Sequence, residues 1–151
     1  MNRRILPESC NHENTVYGLI NYIKSLHKLA DLAPQPMVIF PGHRLFYNNN
    51  FNLMDSLRGR AREIIRFHIE RCRDILRIIG SKPTGLDEIA FQHFPASSLA
   101  GSGKLMARDE VMAHVEVMEK CGDVCWVGEN RDRVQWSGSN NFLDVIGAYL
   151  Q

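Results

Sequence analysis

The fold class is indicated most clearly by residues 105–136, which read LMARDEVMAHVEVMEKCGDVCWVGENRDRVQW. The first half predicts an amphipathic helix over 105–120, because its apolar residues recur three or four positions apart. Its inward-facing positions are Val111, Val115 and Met118. The second half alternates apolar and polar residues in two runs, Val124–Val127 and Arg133–Trp136, which a turn-forming pentapeptide joins. These two runs predict a β-hairpin.

Further helices are predicted on either side of this stretch. An apolar stripe over 57–79 predicts a long helix that Gly80 ends, and a shorter helix is predicted over 84–94, where a proline follows. The apolar tail at 142–150 predicts a last packing helix. Three helices followed by a two-stranded hairpin is the order of a winged-helix domain, so we expect residues 57–151 to form one.

Residues 1–56 have a different pattern, which predicts a helix, a short strand and a loop. Apolar spacing predicts a helix over 15–33, and a short continuous apolar run predicts a buried strand over 37–40. The strand ends in Pro-Gly-His-Arg, which places His43 at its carboxyl end, where α/β proteins usually bind ligands. The asparagine-rich stretch 47–56 is predicted to be a loop that contains the boundary between the two domains.

Composition restricts the class of protein. The chain has 151 residues, of which 44% are hydrophobic and 23% charged, as in a globular protein, and its formal net charge is +1. The longest apolar run, 37–41, is too short to span a bilayer, and no apolar segment follows the basic start as in a secretory signal. Four cysteines without a tight framework indicate reduced thiols and a cytoplasmic location. They are Cys10, Cys72, Cys121 and Cys125.

His43 is the candidate metal ligand, with a simple turn residue as the alternative. Zinc needs three or four ligands, and the remaining histidines supply no His-x-His element and no pair of histidines four residues apart. His68 and His114 fall on apolar helix stripes and are predicted to be core histidines, and Cys72 is predicted to be a buried, inert thiol. The chain has neither a nucleophile elbow nor a Walker loop.

The charge distribution argues against nucleic-acid binding. Helix 57–79 has a local charge of +4, which is expected to be a solvated face with ion pairs four residues apart. Its charged residues are Arg58, Arg60, Arg62, Arg66, Arg71, Arg73 and Arg77 against Glu63, Glu70 and Asp74. Helix 105–120, which would enter a DNA groove, has a net charge of −2 and would be repelled by phosphates.

Several short motifs follow one another between Tyr22 and Trp136. They are Ile39-Phe-Pro-Gly-His-Arg44, then His68-x-x-Arg71 followed by Ile75-Leu76, Leu86-Asp-Glu-Ile-Ala90 with Phe94, Ala107-Arg-Asp-Glu110 leading to Ala113-His114, and Gly122-Asp-Val124. In this order and spacing, they resemble the C-terminal part of metallo-β-lactamase-fold hydrolases. The branch that they resemble is the glyoxalase-II-like and endoribonuclease-like enzymes with a C-terminal winged-helix extension.

The resemblance implies an α+β chain, with an incomplete α/β segment of a metallo-β-lactamase fold at 1–56 and a winged-helix domain at 57–151. It also implies that His43 is a ligand of the second metal in a dinuclear zinc site, where a bridging water becomes the hydroxide nucleophile. The family signature His-x-His-x-Asp-His is absent from this chain. We therefore expect a C-terminal fragment of such a zinc hydrolase, which alone is catalytically silent and binds no zinc stably.

The expected partners are the missing N-terminal part of the same enzyme or a second copy of the chain, because strand 37–40 would otherwise lack ladder partners. The winged helix would line the active site or mediate dimerisation. The alternatives are a winged-helix nucleic-acid-binding module that uses the basic helix, which we consider disfavoured, and a protein-interaction module. No membrane partner is expected, and the substrate is not determined by these residues.

Overall fold

The protein is described by a computed structural model, which covers residues 18–32, 46–47, 49–51, 56–130 and 132–151. Over these residues the fold is α+β and mostly helical, with a small three-stranded antiparallel sheet. The helices are α1 (Leu19–Asp31), α2 (Leu57–Ile79), α3 (Leu86–His93), α4 (Gly103–Lys120) and α5 (Phe142–Gly147). The strands are β1 (Phe46–Tyr47), β2 (Asn50–Phe51), β3 (Thr84–Gly85), β4 (Val124–Val127) and β5 (Arg133–Trp136). Short 3₁₀ helices lie at Ala96–Leu99 and Ala148–Leu150.

The long predicted helix is confirmed as α2. The Ser56 hydroxyl accepts a hydrogen bond from the Gly59 N–H at 3.0 Å, which satisfies one free donor of the first turn. At the other end, Gly80 has φ +53° and donates its N–H to the Leu76 carbonyl at 2.9 Å. Glycine reaches this left-handed region without a Cβ clash, so the predicted helix end at Gly80 is also confirmed.

Helix α1 packs against α2 and shares its hydrophobic core. Its buried residues are Leu19, Ile23, Leu26 and Ala30, and they belong to one cluster with the buried stripe of α2. The Nε–H of Arg58 donates to the Ala30 carbonyl at 3.1 Å and joins the end of α1 to the start of α2. The division of the chain at residues 56 and 57 stays a prediction, and it would pass between these two packed helices.

The hairpin is confirmed with the predicted bounds as β4 and β5. These strands pair antiparallel with Trp126 opposite Val134. The sheet has a third member, because β3 pairs with the other edge of β5 and gives the strand order β3-β5-β4. Thr84 was expected to cap a helix but lies in β3, and α3 begins at Leu86. Pairing with β5 across the sheet overrides the local capping signal at this position.

Asp123 joins the hairpin to the last helix. Its side chain is fully buried, and its carboxylate accepts hydrogen bonds from the backbone N–H of Asn141 at 2.6 Å and of Phe142 at 2.8 Å. The Ser139 hydroxyl donates a third at 2.8 Å. These donors lie where α5 begins, so Asp123 caps that helix from a distant position in the chain. The predicted tail helix is confirmed as α5 and the 3₁₀ turn that follows.

Three smaller expectations are corrected. Helix α1 is described from Leu19 to Asp31 rather than over 15–33, and α4 begins at Gly103 rather than at residue 105. The predicted loop 47–56 includes part of a two-residue ladder, in which Phe46 pairs with Phe51. Asn49, at φ +61°, makes the turn between these strands, since asparagine tolerates the left-handed region. The predicted strand 37–40 lies outside the described residues.

A membrane-crossing helix would need a long apolar stretch. Within the described parts of the chain, no helix combines the necessary length and hydrophobicity.

Candidate functional site

His43, the metal ligand predicted from sequence, lies outside the described residues. Within them, a polar cluster lies between α2 and α4 and consists of His68, Arg71, Glu110 and His114. We call these four residues the histidine cluster. The first two lie one turn apart on α2, and the other two lie one turn apart on α4. The packing of the two apolar helix stripes brings the pairs together, because each stripe carries one histidine.

The two histidines contact each other directly. The Nδ1 atom of His68 lies 3.0 Å from the Nε2 atom of His114, and both side chains are buried. The Nδ1 atom of His114 lies 2.7 Å from the backbone carbonyl oxygen of Glu110. A carbonyl can only accept, so this nitrogen carries the hydrogen and Nε2 of His114 must accept. The hydrogen bond network therefore assigns the donor role to Nδ1 of His68 and leaves its Nε2 without a hydrogen.

Arg71 and Glu110 form the charged half of the cluster. The guanidinium donates to the Glu110 carboxylate across the two helices. It also lies 4.4 Å from the ring centre of Phe67 and 5.3 Å from that of Phe94, in the range of cation–π attraction. The arginine side chain is 18% exposed and the glutamate 38%. The ion pair is thus held from several sides while the carboxylate keeps access to solvent.

Burial shifts the ionisation of both imidazoles. Desolvation is the largest cause that lowers the pKa of His68, and the neighbouring Arg71 charge lowers it further against the opposing effect of Glu110. Desolvation likewise lowers the pKa of His114, to about 4. The neutral imidazole is therefore the favoured form near pH 7, which agrees with the donor and acceptor roles assigned above. Neutral imidazole is also the form that binds metals.

A groove opens beside His68. It has a volume of about 390 Å³ and is lined by Tyr22, Arg60, Glu63, Ile64, Phe67 and His68. The Tyr22 ring meets the His68 ring edge-on at a centroid distance of 5.9 Å, and the half-exposed Phe67 ring lies 5.3 Å from it. His68 thus links the buried cluster to the surface between α1 and α2.

One group of metal-type donors is present among the described residues. His68, Glu110 and His114 each offer one potential metal-ligating atom, and these three atoms lie within 4.8 Å of one another. Two imidazole nitrogens and one carboxylate oxygen are a ligand set that zinc accepts, with a fourth position left for water or substrate.

The prediction that His68 and His114 are core histidines is confirmed by their burial. The prediction that Cys72 is a buried thiol is confirmed too, and its burial raises its pKa far above the usual range. Sequence reasoning missed the contact between the two helices. The sequence signal that could have indicated part of this site is the i, i+4 spacing of Glu110 and His114, which places a carboxylate and an imidazole on one helix face.

Comparison of the chain with protein-family models, with curated protein sequences and with solved structures finds no match.

Proposed function

We propose that this chain is the C-terminal part of a metal-dependent hydrolase of the metallo-β-lactamase superfamily, and that its winged-helix domain lines the active site or mediates dimerisation. One observation carries the proposal. The resemblance in sequence includes the His68-x-x-Arg71 motif and the motif that contains Glu110 and His114. In the structure, His68 contacts His114 and Arg71 contacts Glu110. Residues from two motifs that are separate in the sequence thus contribute to one site, which supports the resemblance beyond their order along the chain.

The order of the elements also supports the proposal. Helix α2, strand β3, helices α3 and α4, and the β4–β5 hairpin follow one another, and β3 pairs with the far edge of the hairpin. A helix-turn-helix unit followed by a hairpin wing has this arrangement. In the proposed domain, α4 occupies the position of the recognition helix and β4–β5 that of the wing.

The residues of this chain do not fit a complete dinuclear zinc site. The sequence contains no His-x-His element, and the described residues provide a single group of three donors. A dinuclear centre needs ligands for two ions and a bridging group. In the proposed enzyme, His43 would be the contribution of this chain to that centre, and the remaining ligands would come from the upstream part. We therefore expect the chain alone to hydrolyse neither thioesters nor phosphodiesters.

The decisive experiment begins with the gene. An in-frame His-x-His-x-Asp-His signature upstream of Met1 is expected, and its absence from the upstream reading frame would contradict the proposal. The extended protein should contain two zinc ions per chain and hydrolyse a generic thioester or phosphodiester. His43→Ala should reduce both zinc content and turnover. Turnover and two zinc ions in the present chain alone would contradict its assignment as an incomplete part.

Nucleic-acid binding is a weaker alternative, because six of the seven arginines of α2 have other partners. Three pair with acids on their own helix, at i, i+3 rather than the expected i, i+4 spacing: Arg60–Glu63, Arg73–Glu70 and Arg77–Asp74. Arg71 pairs with Glu110, and Arg58 and Arg62 donate to backbone carbonyls. A mobility-shift assay on duplex DNA and RNA at near-physiological salt is expected to show no binding. A salt-dependent shift would favour this alternative instead.

Association between copies is favoured by exposed apolar side chains on α3 and α4. Phe91, Leu105 and Met106 are 58%, 65% and 69% exposed. Sedimentation of the chain at several concentrations is expected to show a dimer, and Leu105→Glu should shift the equilibrium towards monomer. A monomer at all concentrations would remove dimerisation from the proposal. Cys72 and Cys125 form no disulfide among the described residues, which supports the proposed reducing, cytoplasmic location.

A further inference from the structure

We propose that His68, Glu110 and His114 form a binding site for one divalent transition-metal ion of the zinc class. This site is formed by the present chain, it does not include His43, and it does not rest on the proposed hydrolase function. It differs from the expectation drawn from the sequence resemblance, that the chain alone binds no zinc stably. The expected ligands are Nδ1 of His68, Nε2 of His114 and one oxygen of the Glu110 carboxylate. A water molecule would complete the coordination.

The two histidine nitrogens already have nearly the separation that such an ion requires. Two nitrogen ligands at 2.0–2.1 Å from a tetrahedral zinc ion are about 3.3 Å apart. The Nδ1 atom of His68 and the Nε2 atom of His114 are 3.0 Å apart. The nitrogens therefore need to separate by only a few tenths of an ångström, but both rings must also turn, because ring centres 5.2 Å apart show that the two nitrogens now point nearly head-on at each other.

Proton balance permits this replacement without a net loss of protons from the rings. Before binding, the shared hydrogen belongs to Nδ1 of His68, and Nε2 of the same ring has none. On binding, Nδ1 releases its proton to the solvent and Nε2 takes up a proton from the solvent, so that no net proton is gained or lost and His68 remains a neutral imidazole of the other tautomer. The hydrogen of His114 stays on Nδ1, where it is donated to the Glu110 carbonyl at 2.7 Å. Such a hydrogen bond behind a ligating imidazole fixes its orientation in metal sites.

Glu110 supplies the negative charge. Its Oε1 atom accepts from Arg71 and lies 4.0 Å from Nδ1 of His114, so the carboxylate is already beside the histidines. Carboxylates that ligate a metal are commonly held by a second hydrogen bond of this kind. One carboxylate oxygen and one ring nitrogen of each histidine lie within 4.8 Å of one another, and the glutamate side chain is 38% exposed. The mixture of two imidazoles and one carboxylate favours zinc over calcium or magnesium, which prefer oxygen ligands.

The test uses the full 151-residue chain after treatment with a chelator. Zn²⁺ is titrated in competition with a chromophoric chelator, and we expect one ion per chain. Co²⁺ is then used as a spectroscopic probe, and we expect the visible bands of a low-symmetry four-coordinate ion without a thiolate charge-transfer band. A thiolate band would overturn the proposal, since it would assign the ion to cysteines such as the exposed Cys125.

Three variants locate the ion. Glu110→Gln keeps the shape of the side chain and its ability to accept from Arg71, and it should weaken Zn²⁺ binding by about tenfold or more. Glu70→Gln is the matched control, because it removes another carboxylate that is paired with an arginine on α2, and it should leave the affinity unchanged. His43→Ala should also leave it unchanged.

Any of three results would overturn the proposal: no stoichiometric zinc in the chelator-treated chain, equal affinity in Glu110→Gln, or loss of the ion in His43→Ala. Circular dichroism of each variant separates lost ligands from lost folding. As a second readout, histidine NMR resonances of the unsubstituted chain should shift for His68 and His114 on Zn²⁺ addition. The upstream gene sequence, by contrast, bears only on the hydrolase proposal, so the two can fail separately.

Discussion

His114 shows how a polar residue is accommodated in this core. Its side chain is fully buried, yet one ring nitrogen donates to the Glu110 carbonyl and the other accepts from His68. Every hydrogen-bonding atom of the neutral ring is thus satisfied, which removes most of the cost of burying it. Protonation of this ring would place a charge in a buried site and would require His68 to change tautomer so that its Nδ1 could accept.

The first prediction concerns acid. The pKa of His114 is lowered in the folded chain to about 4, so the unfolded state binds the proton more readily. Stability is therefore fully present above the unfolded pKa of about 6.5 and is lost as the pH falls towards the folded value, by about 3 kcal/mol. His114→Gln should be less stable at pH 7 but show a shallower decline. Urea unfolding at a series of pH values, with a chelator present, measures both, and an unchanged slope in the variant would contradict the prediction.

Asp123 has an equally defined role at the residue scale. It is fully buried, and three donors near the start of α5 converge on its carboxylate. Asp123→Ala should lower the free energy of unfolding by about 2–3 kcal/mol, because it leaves buried N–H groups without an acceptor. The control is Asp144→Ala, which removes an exposed carboxylate from the first turn of the same helix. Chemical denaturation compares the two variants, and a similar small loss in both would exclude the capping role.

At the scale of elements, α2 is the central support of the fold. It packs against α1, α3, α4 and α5, while its exposed side is covered by ion pairs. Its two ends are fixed by local chemistry, a serine cap at the start and a left-handed glycine at the end. Because the packed side and the two ends stabilise α2, its arginine-rich face does not disrupt the helix. Because most of these arginines form ion pairs, that face is not a continuous surface of unpaired positive charge among the contacts described.

The glycine at the end of α2 gives the next prediction. Gly80→Ala places a Cβ in the left-handed region at φ +53°, which should cost about 1 kcal/mol. Gly147→Ala is the matched control, because this glycine has helical angles and open space around its missing Cβ. It should be neutral or stabilising by up to about 1 kcal/mol. Thermal unfolding measures both, and equal effects would contradict the conformational explanation.

At the scale of the whole molecule, the described helices share one hydrophobic core. Residues from α1 and from α5 belong to the same buried cluster, although the two helices are more than 100 residues apart in the chain. The His27 ring nitrogen lies 3.2 Å from the Tyr149 carbonyl oxygen and links the same two ends. Cooperative unfolding of the described residues is the expected consequence.

This cooperativity can be measured from one end of the molecule to the other. Ile23→Ala removes a fully buried side chain of α1 and should lower the stability by about 2–4 kcal/mol. Both tryptophans, Trp126 and Trp136, lie in the hairpin strands, so their fluorescence reports on a different part of the fold. If α1 is integral to the core, Ile23→Ala shifts the transition seen by tryptophan fluorescence together with the transition that reports the loss of helix. An unshifted fluorescence transition would instead indicate that residues 57–151 unfold independently, as the sequence analysis expected.

The sequence by itself determined the local elements. The stripe of α2, its glycine end and the alternating runs of β4 and β5 are encoded by residues a few positions apart, and the predicted bounds are confirmed. It also determined that His68, Cys72 and His114 are buried, since each lies on an apolar face. Local spacing carries this information because helix and strand periods are properties of the backbone.

Only the tertiary structure decided which of these faces meet. Thr84 joins the sheet because β5, about 50 residues later, offers it a ladder partner. The imidazoles of His68 and His114 share a hydrogen bond across 46 positions for the same reason: helix packing sets their distance, and no local period records it. The sequence pointed to His43 as the metal-ligating residue, whereas the described structure groups His68, Glu110 and His114. A site formed from separate elements depends on long-range packing, which one sequence leaves undetermined.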